Sequence, residues 1–242
     1  SDLTLAGSLC ASKLRMKVVH VEAGLRSFNK SMPEEINRIV SDHTADYLFA
    51  PTSTAIKNLE NEGLSAKSFL TGDLMVESLK IASSACSPKE NLKNYKNYFL
   101  LTLHRPYNVD DPQKLGKIIN LFSSLNINVI FPVHPRTSSI IKNNNITVGS
   151  NVKLIDPVGY IDFIALQSNA DKIITDSGGI QKEAYILRKP CITLRSETEW
   201  IETVKSGWNK LIDIEKNNKV VEKIDSFKPP EKHPNLFGED IS

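Results

Sequence analysis

Short apolar runs alternate with longer amphipathic runs along most of the chain. Apolar runs of four to eight residues between turn signals predict buried β-strands, and apolar positions at helical spacing predict α-helices. The predicted strands are residues 16–21, 46–51, 68–73, 97–104, 128–134, 152–158, 172–175 and 191–195. Strands that alternate with helices form parallel sheets with right-handed crossovers. The pattern therefore predicts an α/β fold with parallel sheets.

The predicted helices carry recognisable start and stop signals. They cover residues 3–14, 33–45, 52–64, 110–125, 160–170 and 180–188. Pro33 opens one of them with two acidic residues behind it, and Gly63 is placed to end another. A polar stretch at 83–97 separates two blocks of the alternating pattern, and we predict domains of residues 1–75 and 76–242. The chain lacks an initiator Met and starts in a helix with no strand before it, which predicts a fragment.

Composition excludes several classes of protein. Of the 242 residues, 40% are hydrophobic and 24% are charged, as in ordinary globular proteins. A net charge of +2 gives no broad field for nucleic acid or a membrane surface, and no apolar run approaches the roughly 18 residues of a membrane helix. Cys10, Cys86 and Cys191 are far apart, so we interpret them as reduced core thiols of a cytoplasmic protein rather than a disulfide or metal set.

Polar residues follow six of the predicted strands. Ligands of open α/β sheets bind at the carboxyl ends of strands, so these residues are expected to face one cleft. They are His20 with Glu22, His104 with Arg105, His134 with Arg136, the segment 157–163, the segment 176–179, and Arg195.

Ser177, Gly178 and Gly179 lie where a predicted strand meets a predicted helix. Unpaired N–H groups and the helix dipole favour a phosphate there, and glycine permits close approach. Glu183, in the first turn and a half of that helix, either complements the dipole or accepts hydrogen bonds from a ribose diol. Because this is not the G-x-G-x-x-G fingerprint, a nucleoside diphosphate fits better than NAD.

Acidic residues form a second candidate site. Glu34, Arg38 and Asp42 are spaced to share one helix face, which by itself predicts a solvated salt-bridge stripe. The same helix is predicted to bury Ile36. Glu22 in the preceding loop, together with Glu34, could instead serve as proton donor and acceptor. His20 is interpreted as structural.

Six segments together carry a resemblance to a known family. They are HVEAGLRS (20–27), MPEEINR (32–38), LHRPYN (103–108), VHPRT (133–137), TDSGGIQKEA (175–184) and TLRSETEW (193–200). In order and spacing, over nearly the whole chain, they resemble the non-hydrolysing UDP-N-acetylglucosamine 2-epimerase family. The resemblance implies a GT-B fold of two Rossmann-like domains, with the N-terminal domain incomplete in this chain.

The resemblance also implies roles for individual residues. Ser177, Gly178 and Gly179 would bind the UDP phosphates, Glu183 the ribose, and Phe163 with the backbone near Val158 the uracil. Asp2, Glu22 and Glu34 would form the acidic catalytic group supported by Arg38, and His104 would contact the diphosphate. His134 matches a further cleft position, and Arg195 is expected to bind substrate. The partner is a UDP-sugar, with no cofactor or metal, no nucleic acid and no membrane, and the enzyme is expected to be a homodimer.

The implied reaction is inversion at C2 of a UDP-N-acetylhexosamine, from UDP-GlcNAc to UDP-ManNAc, for surface polysaccharide precursors. Three residues depart from the family pattern. Tyr107 stands where the family usually has Glu, and Trp200 and Ile201 stand where many members have Arg and Pro. Trp200 resembles branches of the family that act on modified sugars such as UDP-diacetamido-glucuronate. The alternative hypotheses are a GT-B glycosyltransferase and a UDP-binding module without turnover.

Overall fold

The computed structural model describes residues 2–84, 95–217 and 219–238. Most of the predicted polar stretch at 83–97 therefore lies outside the described residues. The described chain divides into two compact units, residues 2–78 with 234–238, and residues 79–233. The sequence placed the boundary after residue 75 and the tail in the second domain. The tail instead belongs to the first unit because Asp73 N donates to Phe237 O at 3.0 Å and the Phe237 side chain is buried.

The first unit contains a parallel three-stranded sheet in the order β1-β2-β3. Its elements are α1 (Asp2–Lys13), β1 (Val19–Val21), α2 (Pro33–Thr44), β2 (Tyr47–Ala50), α3 (Ser53–Asn61), a 3-10 turn (Ser65–Lys67) and β3 (Ser68–Leu70). The expectation of a buried strand at 16–21 is wrong. Only residues 19–21 pair with β2, and β1 is an edge strand of the described sheet, so Val19 and Val21 are about half exposed.

The predicted helix signals in this unit are confirmed. Pro33 is the first residue of α2, and Glu34 and Glu35 lie in its first turn. Thr52 caps α3 by accepting a hydrogen bond from Ala55 N at 3.1 Å. Gly63 follows α3 with φ of +76°, a conformation that costs glycine little and other residues more.

The second unit contains six parallel strands in the order β6-β5-β4-β7-β8-β9. Relabelled from one, this is the order 3-2-1-4-5-6 of the Rossmann fold. The elements are α4 (Met75–Ser84), within which the two units divide, β4 (Tyr98–Thr102), α5 (Pro106–Val109), α6 (Pro112–Ser123), β5 (Asn128–Pro132), α7 (Pro135–Asn143), β6 (Val152–Ile155), α8 (Tyr160–Asn169), β7 (Lys172–Thr175), α9 (Gly178–Ile186), β8 (Cys191–Thr193), α10 (Ile201–Lys205), β9 (Asn209–Leu211) and α11 (Val220–Asp225). The predicted α/β class with parallel sheets is confirmed.

The central strand β4 shows how this sheet is covered on both faces. Phe99 and Leu101 belong to one buried hydrophobic cluster, whereas Tyr98 and Leu100 belong to another. Because successive side chains of a strand point to opposite faces, β4 contributes to a core on each side of the sheet. Each fully buried apolar side chain of this kind stabilises the fold by about 1.5–3 kcal/mol. Among the described residues, no helix is long and apolar enough to cross a membrane.

Candidate functional site

Strands β4 and β7 are neighbours at the point where the strand order of the sheet reverses. Thr102 pairs with Thr175 in register, and their hydroxyl groups are hydrogen-bonded at 2.7 Å. The loops that follow the two strands therefore start side by side. Ligands of open α/β sheets bind in the crevice at such a point, so this is the candidate site of the second unit.

Asp176 ties these two loops together. Its carboxylate accepts hydrogen bonds from His104 N at 3.2 Å, Arg105 N at 3.1 Å and Asn108 Nδ2 at 2.9 Å. Burial by itself would raise the pKa of Asp176, but the hydrogen bonds from His104 and Asn108 lower that pKa below its ordinary value. A buried, ionised carboxylate thus fixes the loop after β4 against the end of β7.

The same carboxylate orients the imidazole of His104. His104 Nδ1 lies 3.1 Å from Asp176 Oδ1, and the His104 side chain is 55% exposed while Asp176 is fully buried. Because Nδ1 is engaged by Asp176, Nε2 is the ring nitrogen left for a ligand. The protonated imidazole carries an N–H donor on both ring nitrogens, so in that form His104 can also donate from Nε2 to an anion. Sequence reasoning selected His104 but gave no role to Asp176 or Asn108.

Helix α9 begins at Gly178, two residues before the predicted helix. Ser177 is its N-cap, and Ser177 N donates to Thr175 Oγ1 at 3.0 Å. The first N–H groups of a helix have no partner within the helix, and those of Gly178 and Gly179 belong to this set. The helix dipole adds partial positive charge at the same place. The predicted Ser-Gly-Gly segment therefore has the geometry of an anion-binding turn.

The two glycines have different surroundings. A Cβ atom at Gly178 would overlap the carboxylate of Glu199, whereas a Cβ atom at Gly179 would find Ser177 Oγ as its nearest neighbour at 3.9 Å. An alanine at Gly178 would therefore require the Glu199 carboxylate, which contacts Arg195, to shift. The space beside Gly179 is open, and it is on this side that a ligand can approach the backbone.

Glu183 lies one and a half turns into α9 and is buried. Gln167 Nε2, on α8, donates to Glu183 Oε2 at 2.6 Å. Burial raises the pKa of Glu183 above its ordinary value, and the nearby Gln167 and Tyr160 side chains with the charge of Lys182 oppose the rise. Sequence reasoning missed Gln167, since it lies in another helix.

The residues predicted near the uracil lie around the start of α8. Val158 precedes the helix and Phe163 is in its first turns, and both pack against the buried cluster that includes Leu100 and Ile173. Gly159, the N-cap of α8, would place an added Cβ atom in open space. Phe163 is thus partly committed to the core.

His134 and Arg195 lie at two further strand ends. His134 is the N-cap of α7, with Nδ1 accepting from Arg136 N at 3.3 Å, and it is exposed. Arg195 is buried and its guanidinium contacts Glu199 at 3.1 Å. Arg195 is therefore committed to a carboxylate of the protein, and its contact with substrate stays a prediction.

A buried polar network joins α9 to the loop after β8. Gln181 Oε1 accepts from Thr198 Oγ1 at 2.6 Å and from Asn209 Nδ2 at 3.0 Å, while Gln181 Nε2 donates to Ser177 O at 3.1 Å. Asn209 Oδ1 accepts from Thr193 Oγ1 at 2.8 Å. Satisfied buried networks favour one arrangement of the groups they join. This one holds the Ser177 turn to β8 and β9.

The acidic residues of the first unit lie near the amino end of α2 and at the end of β1. Glu34 is in the first turn of α2 and is partly exposed, and Asp2 Oδ1 accepts from Asn37 Nδ2 at 2.8 Å, which places Asp2 against the same helix. Glu22 follows β1 with φ of +64° and is exposed. Arg38 Nη1 lies 3.3 Å from Glu35. The structure thus brings Asp2 to α2.

The expectation of a solvated stripe through Asp42 is wrong. Asp42 is fully buried, 2.7 Å from Arg26 Nη1 and 2.6 Å from His20 Nδ1. Burial alone would raise the pKa of Asp42, but His20 and Arg26 lower it. The interpretation of His20 as structural agrees with this contact. Ile36, predicted to be buried, is 48% exposed, because the buried face of α2 carries Glu35, Asn37, Ser41 and Asp42.

The cysteines are only in part core thiols. Cys191 is buried, and burial raises the pKa of its thiol to about 12, whereas Cys10 is exposed because it lies on the outer side of α1. Cys86 lies outside the described residues. Within the part of the chain that the structure describes, no group of three or more His, Cys, Asp or Glu side chains is arranged to hold a metal ion.

The chain matches a known protein family over most of its length. The family described as UDP-N-acetylglucosamine 2-epimerase matches residues 2–240. A Methanococcus maripaludis protein named UDP-N-acetylglucosamine 2-epimerase homolog is 48% identical over 99% of this chain and 70% of its own length. A Pseudomonas aeruginosa UDP-2,3-diacetamido-2,3-dideoxy-D-glucuronate 2-epimerase is 47% identical over 88% of this chain and 61% of its own length.

The fold is also found among solved structures. Methanocaldococcus jannaschii UDP-GlcNAc 2-epimerase, solved with UDP-GlcNAc and UDP, is similar with a TM-score of 0.88 and 41% sequence identity. That alignment covers 100% of this chain and 70% of the other. The present chain therefore spans roughly two thirds of the length of the proteins it resembles.

Proposed function

Because the chain belongs to the UDP-N-acetylglucosamine 2-epimerase family, we propose that it carries the UDP-sugar site of an enzyme that inverts C2 of a UDP-N-acetylhexosamine. The observation that carries the proposal is the arrangement at the ends of β4 and β7. Asp176 holds His104 beside the Ser177-Gly178-Gly179 turn. A histidine and a helix amino terminus together suit a diphosphate leaving group.

The reaction follows from the chemistry of the substrate. A base removes the C2 proton while the C1–O bond breaks and UDP departs, which gives a glycal. UDP then adds back to C1 as an acid delivers a proton to the opposite face of C2. The C2 proton is only weakly acidic, so departure of UDP must assist its removal. Donors fixed around the diphosphate stabilise the charge that develops there.

The residues of this chain are assigned accordingly. Gly178 N–H, Gly179 N–H and His104 would bind the diphosphate, and Glu183 would accept hydrogen bonds from the ribose. Asp2, Glu22 and Glu34 are the carboxylates proposed to move the C2 proton, with Arg38 beside them. A homodimer and a cytoplasmic location also belong to the proposal, and sedimentation of the purified protein would test the dimer.

A single incubation separates the proposed activity from a glycosyltransferase. The protein is supplied with UDP-GlcNAc and no acceptor, and the sugar is followed by proton NMR. An epimerase produces UDP-ManNAc, and in deuterated water it incorporates deuterium at C2, because the proton removed from C2 exchanges with solvent. A transferase leaves the C2 proton in place. UDP binding with neither outcome would favour a binding module without turnover.

A second candidate substrate is a modified UDP-sugar such as a diacetamido-glucuronate. Two residues that depart from the family pattern lie in this site. The Lys114 ammonium lies 5.3 Å from the centre of the Tyr107 ring, and the Lys182 ammonium lies 4.6 Å from the centre of a Trp200 ring. Replacement of a usual Glu by Tyr107 removes a negative charge, which would favour a sugar with a carboxylate. Parallel assays with both UDP-sugars decide between the two substrates.

A further inference from the structure

Two buried carboxylates of α2 contact the loop that follows β1. This loop, residues 22–28, is called the Glu22 loop below, because it carries one of the carboxylates proposed to move the C2 proton. Asp42 and Glu35 lie on the buried face of α2. The proposed reaction uses neither of them. A buried charge is costly unless it is paired and hydrogen-bonded, so the partners of these carboxylates indicate what they do.

Asp42 holds the chain on both sides of Glu22. Its Oδ1 lies 2.6 Å from His20 Nδ1, two residues before Glu22. Its Oδ2 accepts a hydrogen bond from Gly24 N at 3.1 Å, two residues after Glu22. The Arg26 guanidinium lies 2.7 Å from the same Oδ2 and balances its charge. One side chain of α2 therefore fixes the backbone before and after the exposed Glu22 side chain.

Glu35 holds the end of the same loop. Its Oε2 accepts hydrogen bonds from Ser27 N at 2.9 Å and Ser27 Oγ at 3.0 Å, and its Oε1 accepts from Phe28 N at 2.8 Å. Arg38 Nη1 lies 3.3 Å from Oε2 and supplies a positive charge. Glu35 directly follows Glu34 in α2, so residues 27 and 28 are attached to the helical turn that carries the second proposed catalytic carboxylate.

The backbone of the Glu22 loop adopts conformations that need support. Glu22 and Phe28 have φ of +64° and +59°, a region that residues other than glycine seldom adopt. Gly24 has φ of +81°, and a Cβ atom there would overlap Ala55 O. Such conformations persist only where the surrounding structure imposes them. The hydrogen bonds from loop N–H groups to the two carboxylates of α2 supply part of that support.

We propose that Asp42 and Glu35 are positioning residues that fix Glu22 relative to Glu34, because they tie the Glu22 loop to the helix that carries Glu34. The inference rests on the proposed function, since it takes Glu22 and Glu34 as groups that move the C2 proton. Proton transfer requires a carboxylate within hydrogen-bond reach of the proton. A displaced Glu22 would therefore slow turnover, whereas the proposed UDP contacts belong to residues of the second unit.

The first test is amide hydrogen exchange, followed by NMR on the 242-residue chain. Glu35→Gln and Asp42→Asn keep the size of each side chain but turn an NH₂ group toward the N–H groups of the loop. Exchange at the amides of residues 24, 27 and 28 should accelerate about 10- to 100-fold, which corresponds to loss of a hydrogen bond to a charged group. The amides of β2 and α3 should keep their protection.

Glu62→Gln is the matched control for both variants. The Glu62 carboxylate also binds the buried Arg26 guanidinium, at 2.7 Å from both Nε and Nη2, but in the described structure it accepts from this side chain and not from the backbone of the Glu22 loop. Exchange within the loop should therefore stay unchanged in Glu62→Gln, even if the variant lowers the melting temperature.

The second test separates turnover from binding. With saturating UDP-GlcNAc, kcat for formation of UDP-ManNAc should fall roughly tenfold or more in Glu35→Gln and in Asp42→Asn. UDP affinity, measured by calorimetry, should stay within about twofold of the unaltered protein, because the proposed nucleotide contacts are intact. Glu62→Gln should keep both kcat and UDP affinity. A merely structural role would lower the melting temperature without this split between kcat and binding.

The outcomes distinguish this inference from the proposed function. The inference is overturned if protection falls equally throughout the first unit in Glu35→Gln and Asp42→Asn, if the loop amides stay protected, or if the loop is loosened and kcat is unchanged. If the unaltered chain neither forms UDP-ManNAc nor incorporates deuterium at C2, the proposed function fails, and the exchange result alone decides whether α2 holds the loop. If Asp42→Asn prevents folding, Glu35→Gln decides by the same criteria.

Discussion

Asp176, at the end of β7, accepts hydrogen bonds from the backbone N–H of His104, which follows β4 and lies 72 residues earlier in the chain. It also contacts the imidazole Nδ1 of His104. One buried carboxylate therefore sets both the path of a loop and the orientation of the ring that the loop carries. The proposed anion site depends on this contact, because the Ser177-Gly178-Gly179 turn begins at the next residue.

Replacement of Asp176 by Asn should weaken both the fold and UDP binding. The amide keeps the shape of the carboxylate but faces several N–H donors with an NH₂ group, which should cost about 1–3 kcal/mol of unfolding free energy. UDP affinity should fall about tenfold because His104 loses its partner. Urea denaturation and calorimetry measure the two effects. An Asp176→Asn protein with unchanged UDP affinity would contradict the role assigned to the contact.

The loss of unfolding free energy in Asp176→Asn should depend on pH in a defined direction. The pKa of Asp176 is lower in the folded protein than its ordinary value, so the carboxylate contributes stability above the unfolded pKa of about 3.9. That contribution is lost as pH falls through the folded pKa. The difference in unfolding free energy between the unaltered protein and Asp176→Asn should stay constant from pH 7 to about 4 and shrink below it. A difference that already shrinks between pH 7 and 5 would be inconsistent with this assignment.

The two glycines of the anion turn should respond differently to alanine. Gly178→Ala places a methyl group against Glu199 and should destabilise the protein by about 1–3 kcal/mol. Gly179→Ala has room for the methyl group, and alanine is the better helix former, so its stability should be equal or up to about 1 kcal/mol higher.

UDP affinity is the second measurement on this pair. The methyl group of Gly179→Ala would occupy the open side of the backbone, where the diphosphate is expected, so affinity should fall at least tenfold while the melting temperature is kept. Gly178→Ala is the comparison. It is expected to lose stability, so any loss of UDP binding in that variant would accompany a loss of stability. If Gly179→Ala keeps full UDP affinity, the diphosphate does not bind at this backbone.

Glu183 in the second unit and Glu34 in the first should affect different properties, UDP binding and turnover respectively. Glu183→Ala should weaken UDP binding, because it removes the proposed ribose acceptor. Glu34→Gln should leave UDP binding unchanged and abolish epimerisation, because an amide cannot transfer the C2 proton. Calorimetry with UDP and NMR with UDP-GlcNAc measure the two properties. Equal loss of binding and turnover in Glu34→Gln would count against its catalytic assignment.

Arg26 should be essential for the fold of the first unit. Its guanidinium lies 2.7 Å from Asp42 and 2.7 Å from Glu62, and it is almost fully buried. Arg26→Met should destabilise the protein by about 3–5 kcal/mol, since it leaves Asp42 buried without that charge. Lys17→Met is the control, because its contact with Asp46 is exposed and screened by water, so the change should alter the free energy of unfolding far less. Equal effects of the two changes in urea denaturation would refute the distinction.

The sequence predicted what depends on local pattern. The alternation of strands and helices, the start of α2 at Pro33 and the position of Ser177-Gly178-Gly179 between a strand and a helix follow from residue spacing and were found as predicted. Short elements such as α5, α7 and β9 were not predicted, because three to nine residues carry little periodic signal. The roles of Asp176 and Gln167 depend on partners far along the chain, and spacing within one segment does not reveal such contacts.

Asp42 shows the opposite kind of error. Its position on α2 fits a charged surface stripe, and only the approach of Arg26 and His20 from other elements makes its burial possible. The exposed Ile36 follows from the same rotation of the helix, because polar side chains occupy the buried face. Periodicity identifies a helix face but does not say whether charged partners will cover it.

A crystal structure of this chain soaked with UDP is the decisive measurement. Diphosphate oxygens are expected within hydrogen-bond distance of Gly178 N, Gly179 N and His104 Nε2, with the ribose hydroxyls on Glu183. A map that shows UDP bound away from β4 and β7, or a protein side chain occupying the anion turn in its place, would contradict this placement.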